Sequence, residues 1–143
     1  MRSNHVKNGS LLAVDLRDEA GADFALGPVD FQPISTNDTV YASVTITAPK
    51  AGMVIANATA WISHTGGDAR VRCSISTGSA VDGPYRFLAW VTSSAPNATM
   101  SGSRGFDVNA GSTTFNLVCE RIDGPGGFIG APHMTAMYFP TRY

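Results

Sequence analysis

The chain is poor in charge and poorest in lysine. Of its 143 residues only 15% are charged, and Lys7 and Lys50 are the sole lysines; soluble domains usually carry about a quarter. With a formal net charge of −1 and no basic cluster, the chain lacks an electrostatic footprint for nucleic acid or a membrane surface. No apolar run approaches the ~18 residues that span a bilayer, so membrane insertion is not expected. The segment Met1 to Asn8 lacks the apolar centre of a secretory signal; export would involve a mature form or another route.

Catalytic and metal-binding patterns are missing as well. His5, His64 and His133 lie far apart, and none has a second ligand at metal spacing. His64, beside Thr65 and Gly66, reads as a solvated turn histidine. No serine sits in a Gly-x-Ser-x-Gly elbow. Asp68, Asp82, Asp107, Glu120 and Asp123 fall in turns or on solvent faces, and no two converge as glycoside hydrolysis requires. Asp82 and Asp123 are the loop acids suited to calcium, but they lack the acidic cluster it needs. No metal, no cofactor and no enzymatic activity are expected.

Two cysteines are present, and both stand inside alternating segments. Val71-Arg72-Cys73-Ser74-Ile75 holds the first and Phe115-Asn116-Leu117-Val118-Cys119 the second. Each cysteine shares a face with apolar neighbours two residues away, the period of a strand. Two inward cysteines on two strands suit one buried disulfide, Cys73–Cys119, and hence an exported domain; the alternative is a pair of buried free thiols.

Strand signals dominate the chain, and turn residues recur roughly every 10 positions, the rhythm of a sandwich or barrel. Expected strands cover 29–34, 41–48, 53–63, the Cys73 segment, 85–93, 100–108, 113–122 and 133–139. In 53–63, Val54, Ala56, Ala58, Ala60 and Ile62 share one face. The run Phe87 to Val91 reads as a central strand, with Trp90 in the core. No helix is convincing; 11–20 is the nearest candidate. The expected fold is all-β: a two-sheet antiparallel sandwich of jelly-roll type over 29–143, with an extended N-terminal arm over 1–28. An immunoglobulin-like sandwich is the second choice, since Trp90 lies between the cysteines.

Within the polar arm, Leu11, Leu12, Val14 and Leu16 need burial, either on their own sandwich or on another copy. Trp61, on a mixed face with Ile55, Asn57 and Thr59, is expected to be exposed or buried against a partner subunit; it is also the candidate for stacking on a sugar. Asn8, Asn37, Asn57 and Asn97 each begin an Asn-x-Ser/Thr triplet, the acceptor pattern for N-glycosylation. A composition rich in Ser and Thr produces some of these by chance.

Val6 to Leu16, with its Asn8-Gly9-Ser10-Leu11-Leu12 core, resembles a short segment of bacterial surface and secreted proteins. The stretch from Tyr41 to Pro140, pairing Val71-x-Cys73-x-Ile75 with Phe115-x-Leu117-x-Cys119, resembles bacterial β-sandwich domains of unknown function. The closing Thr135-Ala136-Met137-Tyr138-Phe139-Pro140 is similar to the last strand of trimeric heads of the complement C1q and tumour-necrosis-factor type. The resemblance implies an extracellular assembling domain with no catalytic residue. The expected function is therefore a structural subunit outside the cell that self-assembles into a homo-oligomer or fibre through its N-terminal strand, partnered by copies of itself. A carbohydrate-binding or adhesive module, with glycans as partners, is the alternative.

Overall fold

The computed structural model describes residues 21–64 and 67–140. Nine strands follow in order: β1 (Ala22–Leu26), β2 (Gln32–Pro33), β3 (Thr39–Ala48), β4 (Gly52–Ser63), β5 (Ala69–Ser76), β6 (Arg86–Val91), β7 (Asn97–Val108), β8 (Gly111–Asp123) and β9 (Phe128–Pro140). They form two antiparallel sheets. The first runs β1-β9-β4-β7, with β2 also paired to β9; the second runs β3-β8-β5-β6. Apart from β5 to β6, each connection from β3 onward crosses between the sheets, so both sheets mix strands from distant parts of the chain. That interleaving is the jelly-roll order, and the fold is the expected all-β sandwich.

The core follows from alternation. Val54, Ala56, Ala58, Ala60 and Ile62 of β4 are all buried, as are Met134, Ala136 and Tyr138 of β9. Opposite them stand Val44 and Ile46 of β3, Val71 and Ile75 of β5, and Phe115 and Leu117 of β8. Small residues line the middle of the first sheet and larger ones the second, so the two inner faces interdigitate. The buried tyrosines keep their hydroxyls satisfied: Tyr138 donates to the Lys50 carbonyl and Tyr41 to that of Pro33.

Cys73 and Cys119 are fully buried and joined by a disulfide. They face each other in register on the neighbouring strands β5 and β8, so the bond staples one sheet internally. Met100 of β7 brings its Sδ to 3.7 Å from Cys73 Sγ across the interior.

Several sequence expectations change. Only Gln32–Pro33 of the segment 29–34 pairs as a strand. Trp90 is not a core residue: it is 65% exposed. β6 is the edge of its sheet, so Ala89 and Val91 point inward while Leu88 and Trp90 face outward. His64 is buried, not solvated. Its Nε2 lies 2.7 Å from the Thr92 carbonyl, and its Nδ1 accepts from Gly67 N–H at 3.4 Å, tying the end of β4 to the turn that follows β6. Ala22–Leu26, inside the segment read as an arm, is a strand of the first sheet.

The disulfide closes a loop with a sequence separation of 46. Replacing both cysteines with alanine is expected to lower unfolding free energy by about 2–4 kcal/mol, measured by urea denaturation. Unchanged stability would show that the strand pairing needs no staple.

Candidate functional site

The outward face of the five-stranded sheet carries several large apolar side chains among its polar ones. β4 turns Met53, Ile55, Asn57, Thr59 and Trp61 outward, the positions between its buried residues. Register then sets the rows across the sheet. Ala22 and Met137 stand beside Ile55; Phe24 and Thr135 beside Asn57; Leu26 and His133 beside Thr59; Gly130 beside Trp61. Toward β7 the same rows end in Asp107, Gly105, Ser103, Ser101 and Thr99. Phe24 is 65%, Leu26 67% and Trp61 48% exposed, and Met53 and Met137 are also open to solvent. In these rows only His133 and Asp107 are titratable.

The face has two halves. Near β1 and β9, a shallow groove of about 280 Å³ is lined by Ala22, Asp23, Phe24, Thr135, Ala136 and Met137. Near β7, a second trough of about 440 Å³ is lined by Asn57, Ala58, Thr59, Ser101, Gly102 and Ser103. Bulky apolar residues thus border small polar ones, a relief that a complementary protein surface can fill.

Phe31 anchors the end of this face. Its ring meets Trp61 edge to face, with centroids 5.5 Å apart and planes at 70°, a geometry worth ~0.5–1.5 kcal/mol beyond burial. The close approach depends on Gly130, where an added Cβ would lie 2.8 Å from the Phe31 ring. Beside it, Ala131 takes φ 44°, at the bulge where the β4–β9 register slips between Thr59 and Trp61. Bulges bend a strand and re-aim its side chains.

The other sequence-derived candidates scatter. Asn37 is exposed before β3, Asn97 is exposed at the start of β7, and Asn57 is half-buried in the polar trough. Leu11, Leu12, Val14, Leu16 and Asn8 lie outside the described residues. Asp82 pairs with Arg104 at 2.8 Å and Asp123 with Arg70 at 2.9 Å, so both loop acids already have cationic partners. Among the described residues no group of three or more His, Cys, Asp or Glu side chains could hold a metal ion, and no helix is long and apolar enough to cross a membrane.

No family model and no curated protein sequence matches the chain. Solved structures do match in shape. The globular domain of zebrafish complement 1qA protein aligns over 87% of this chain and 100% of its own, with TM-score 0.49 and 12% identity. Dimeric latent PorU from Porphyromonas gingivalis aligns over 87% of this chain but 13% of its own, with TM-score 0.51 and 11% identity. At such identities the likeness concerns the fold alone.

Gly130→Val is expected to push Phe31 off Trp61. In a Trp90→Phe background, which leaves Trp61 as the sole indole, its fluorescence should shift to the red and stability should fall by ~1 kcal/mol. An unchanged spectrum would mean that Phe31 does not shield Trp61.

Proposed function

We propose that this chain is an extracellular structural subunit that self-assembles into a homo-oligomer or fibre, with copies meeting across the outward face of the five-stranded sheet and the N-terminal segment joining the same interface. The observation that carries the reading is the gathering of Phe24, Leu26, Phe31, Trp61, Met53 and Met137, all exposed, around one sheet face. At roughly 200 Å² per whole aromatic side chain, their exposures add up to on the order of 600 Å². Spread over the face, that is a large part of the ~800 Å² per partner that a stable interface buries.

β1 is the outer strand of the sheet and carries Phe24 and Leu26, so Gly21, where the described residues begin, stands at the rim of this face. Leu11, Leu12, Val14 and Leu16 continue its apolar character. A neighbour's sheet offers such a segment both backbone partners and apolar cover. The disulfide supports an oxidising, extracellular location, and the low charge suits a polymer.

The test is mass by light scattering. Deleting residues 1–20 and, separately, substituting Phe24→Ser with Leu26→Ser are each expected to leave a β-rich circular dichroism spectrum and reduce particle mass to that of one chain, 15.0 kDa for the full length. An intact chain already at monomer mass would refute assembly. Loss of assembly in the face variant but not in the deletion would refute the role of the arm.

A further inference from the structure

We propose a second site, on the opposite sheet: a glycan-binding platform centred on Trp90, selective for neutral, polyhydroxylated sugars. It is independent of the self-assembly reading, because it uses the outward face of the four-stranded sheet. Trp90 is 65% exposed, and among the described residues neither an aromatic ring nor a guanidinium is stacked on it and its indole N–H has no protein partner. The indole's flat apolar face with one polar edge matches the C–H face and hydroxyl rim of a pyranose.

The neighbours supply the polar half of the recognition. Arg70 stands directly opposite Trp90 on β5, and Asp123 opposite Arg70 on β8. Three adjacent strands therefore align acceptor, donor and platform in one row about 10 Å long at ~4.8 Å per strand. The Arg70–Asp123 pair is open, with side chains 44% and 58% exposed. Its remaining N–H donors and carboxylate lone pairs face solvent, where a planar fork and a carboxylate can each grip two sugar hydroxyls. The next row repeats the pattern: Leu88 opposite Arg72, which is paired to Glu120.

Charge decides the class of ligand. Arg70 and Arg72 are compensated across the strands by Asp123 and Glu120. On this face, among the described residues, Arg86, whose guanidinium donates to the Gly83 carbonyl, has no ion pair. Nucleic acid or an anionic membrane would need several uncompensated cations. A neutral ligand that offers both donors and acceptors loses nothing to this balance. Of the two tryptophans, Trp61 already has Phe31 against it, so the open platform is Trp90.

The experiment uses the full chain and a panel of cellulose, xylan, mixed-linkage β-glucan, galactomannan and starch, read by pull-down and affinity electrophoresis. At least one polysaccharide should retard the intact protein. Trp90→Ala should weaken that binding about tenfold or more, as expected on removing an aromatic stack. Trp90→Phe should restore most of it, and Arg70→Gln should weaken it several-fold. In the Trp61→Phe protein, titration with the matching oligosaccharide should perturb the fluorescence of Trp90. Failure of the whole panel to retard the intact chain would overturn the proposal. So would equal retardation of a folded Trp90→Ala variant, or loss of oligomer mass on Trp90→Ala with no change in retardation, which would assign the indole to contact between copies.

Discussion

A strand has two faces, and the β4–β9 pair carries large apolar side chains on both, interrupted on the outward face by Asn57, Thr59, His133 and Thr135. One face closes the core through Ala56, Ala58, Ala136 and Tyr138; the other holds Met53, Ile55, Trp61 and Met137. A sheet that is apolar on both sides needs cover on both. The second sheet of the sandwich covers one side, and among the described residues nothing covers the other. The proposed assembly follows from that imbalance. The hydrophobic term at stake scales with the exposed area, and a partner surface removes it without rebuilding the fold.

The second sheet is built differently. Its outward positions carry Ser43–Asn116, Thr45–Thr114 and Thr47–Ser112, each pair hydrogen-bonded across β3 and β8 at 2.7 to 2.8 Å. Farther along, the loop after β5 lies against this face: Asp82 N–H donates to Ser74 Oγ, and the Gly78 carbonyl accepts from Asn116 Nδ2. Ser74 and Val118 are fully buried in consequence. Arg104, sandwiched by Tyr85 and Phe106 and bound to Asp82 and the Ile75 carbonyl, holds that loop in place. This sheet therefore needs no partner for most of its surface, and the Trp90 end is the exception.

Much of the fold was legible in the residues. Period-two alternation in β4 grouped in advance five of its six buried residues, and the same logic placed both cysteines inside. The misreadings arise from what local pattern does not reveal: where a strand sits in its sheet, and which distant residue meets a turn. Phe87 to Val91 is uninterrupted apolar sequence, as a strand buried on both faces would be, yet β6 is an edge and turns Leu88 and Trp90 outward. His64 reads as a turn residue from its neighbours, and its burial comes from Thr92, 28 positions away. The proposed interface was half legible. Trp61 stood out because its own strand pairs it with polar neighbours, whereas Phe24, Leu26 and Phe31 joined it only through the register of β1 with β9 and the gap at Gly130. No local pattern announces such a juxtaposition.

The two tryptophans give the account its sharpest comparison, because both are exposed in the single chain but only one lies on the proposed interface. Hydroxyl-radical footprinting of the full-length protein, read residue by residue by mass spectrometry, compares like with like. Trp61 is expected to oxidise far more slowly than Trp90, with Phe24 and Phe31 protected alongside it, and dilution to monomer is expected to bring the two tryptophans to the ratio of their exposures, 48% to 65%. Oxidation of Trp61 and Trp90 in simple proportion to their exposures, at concentrations where copies would meet, would contradict the account.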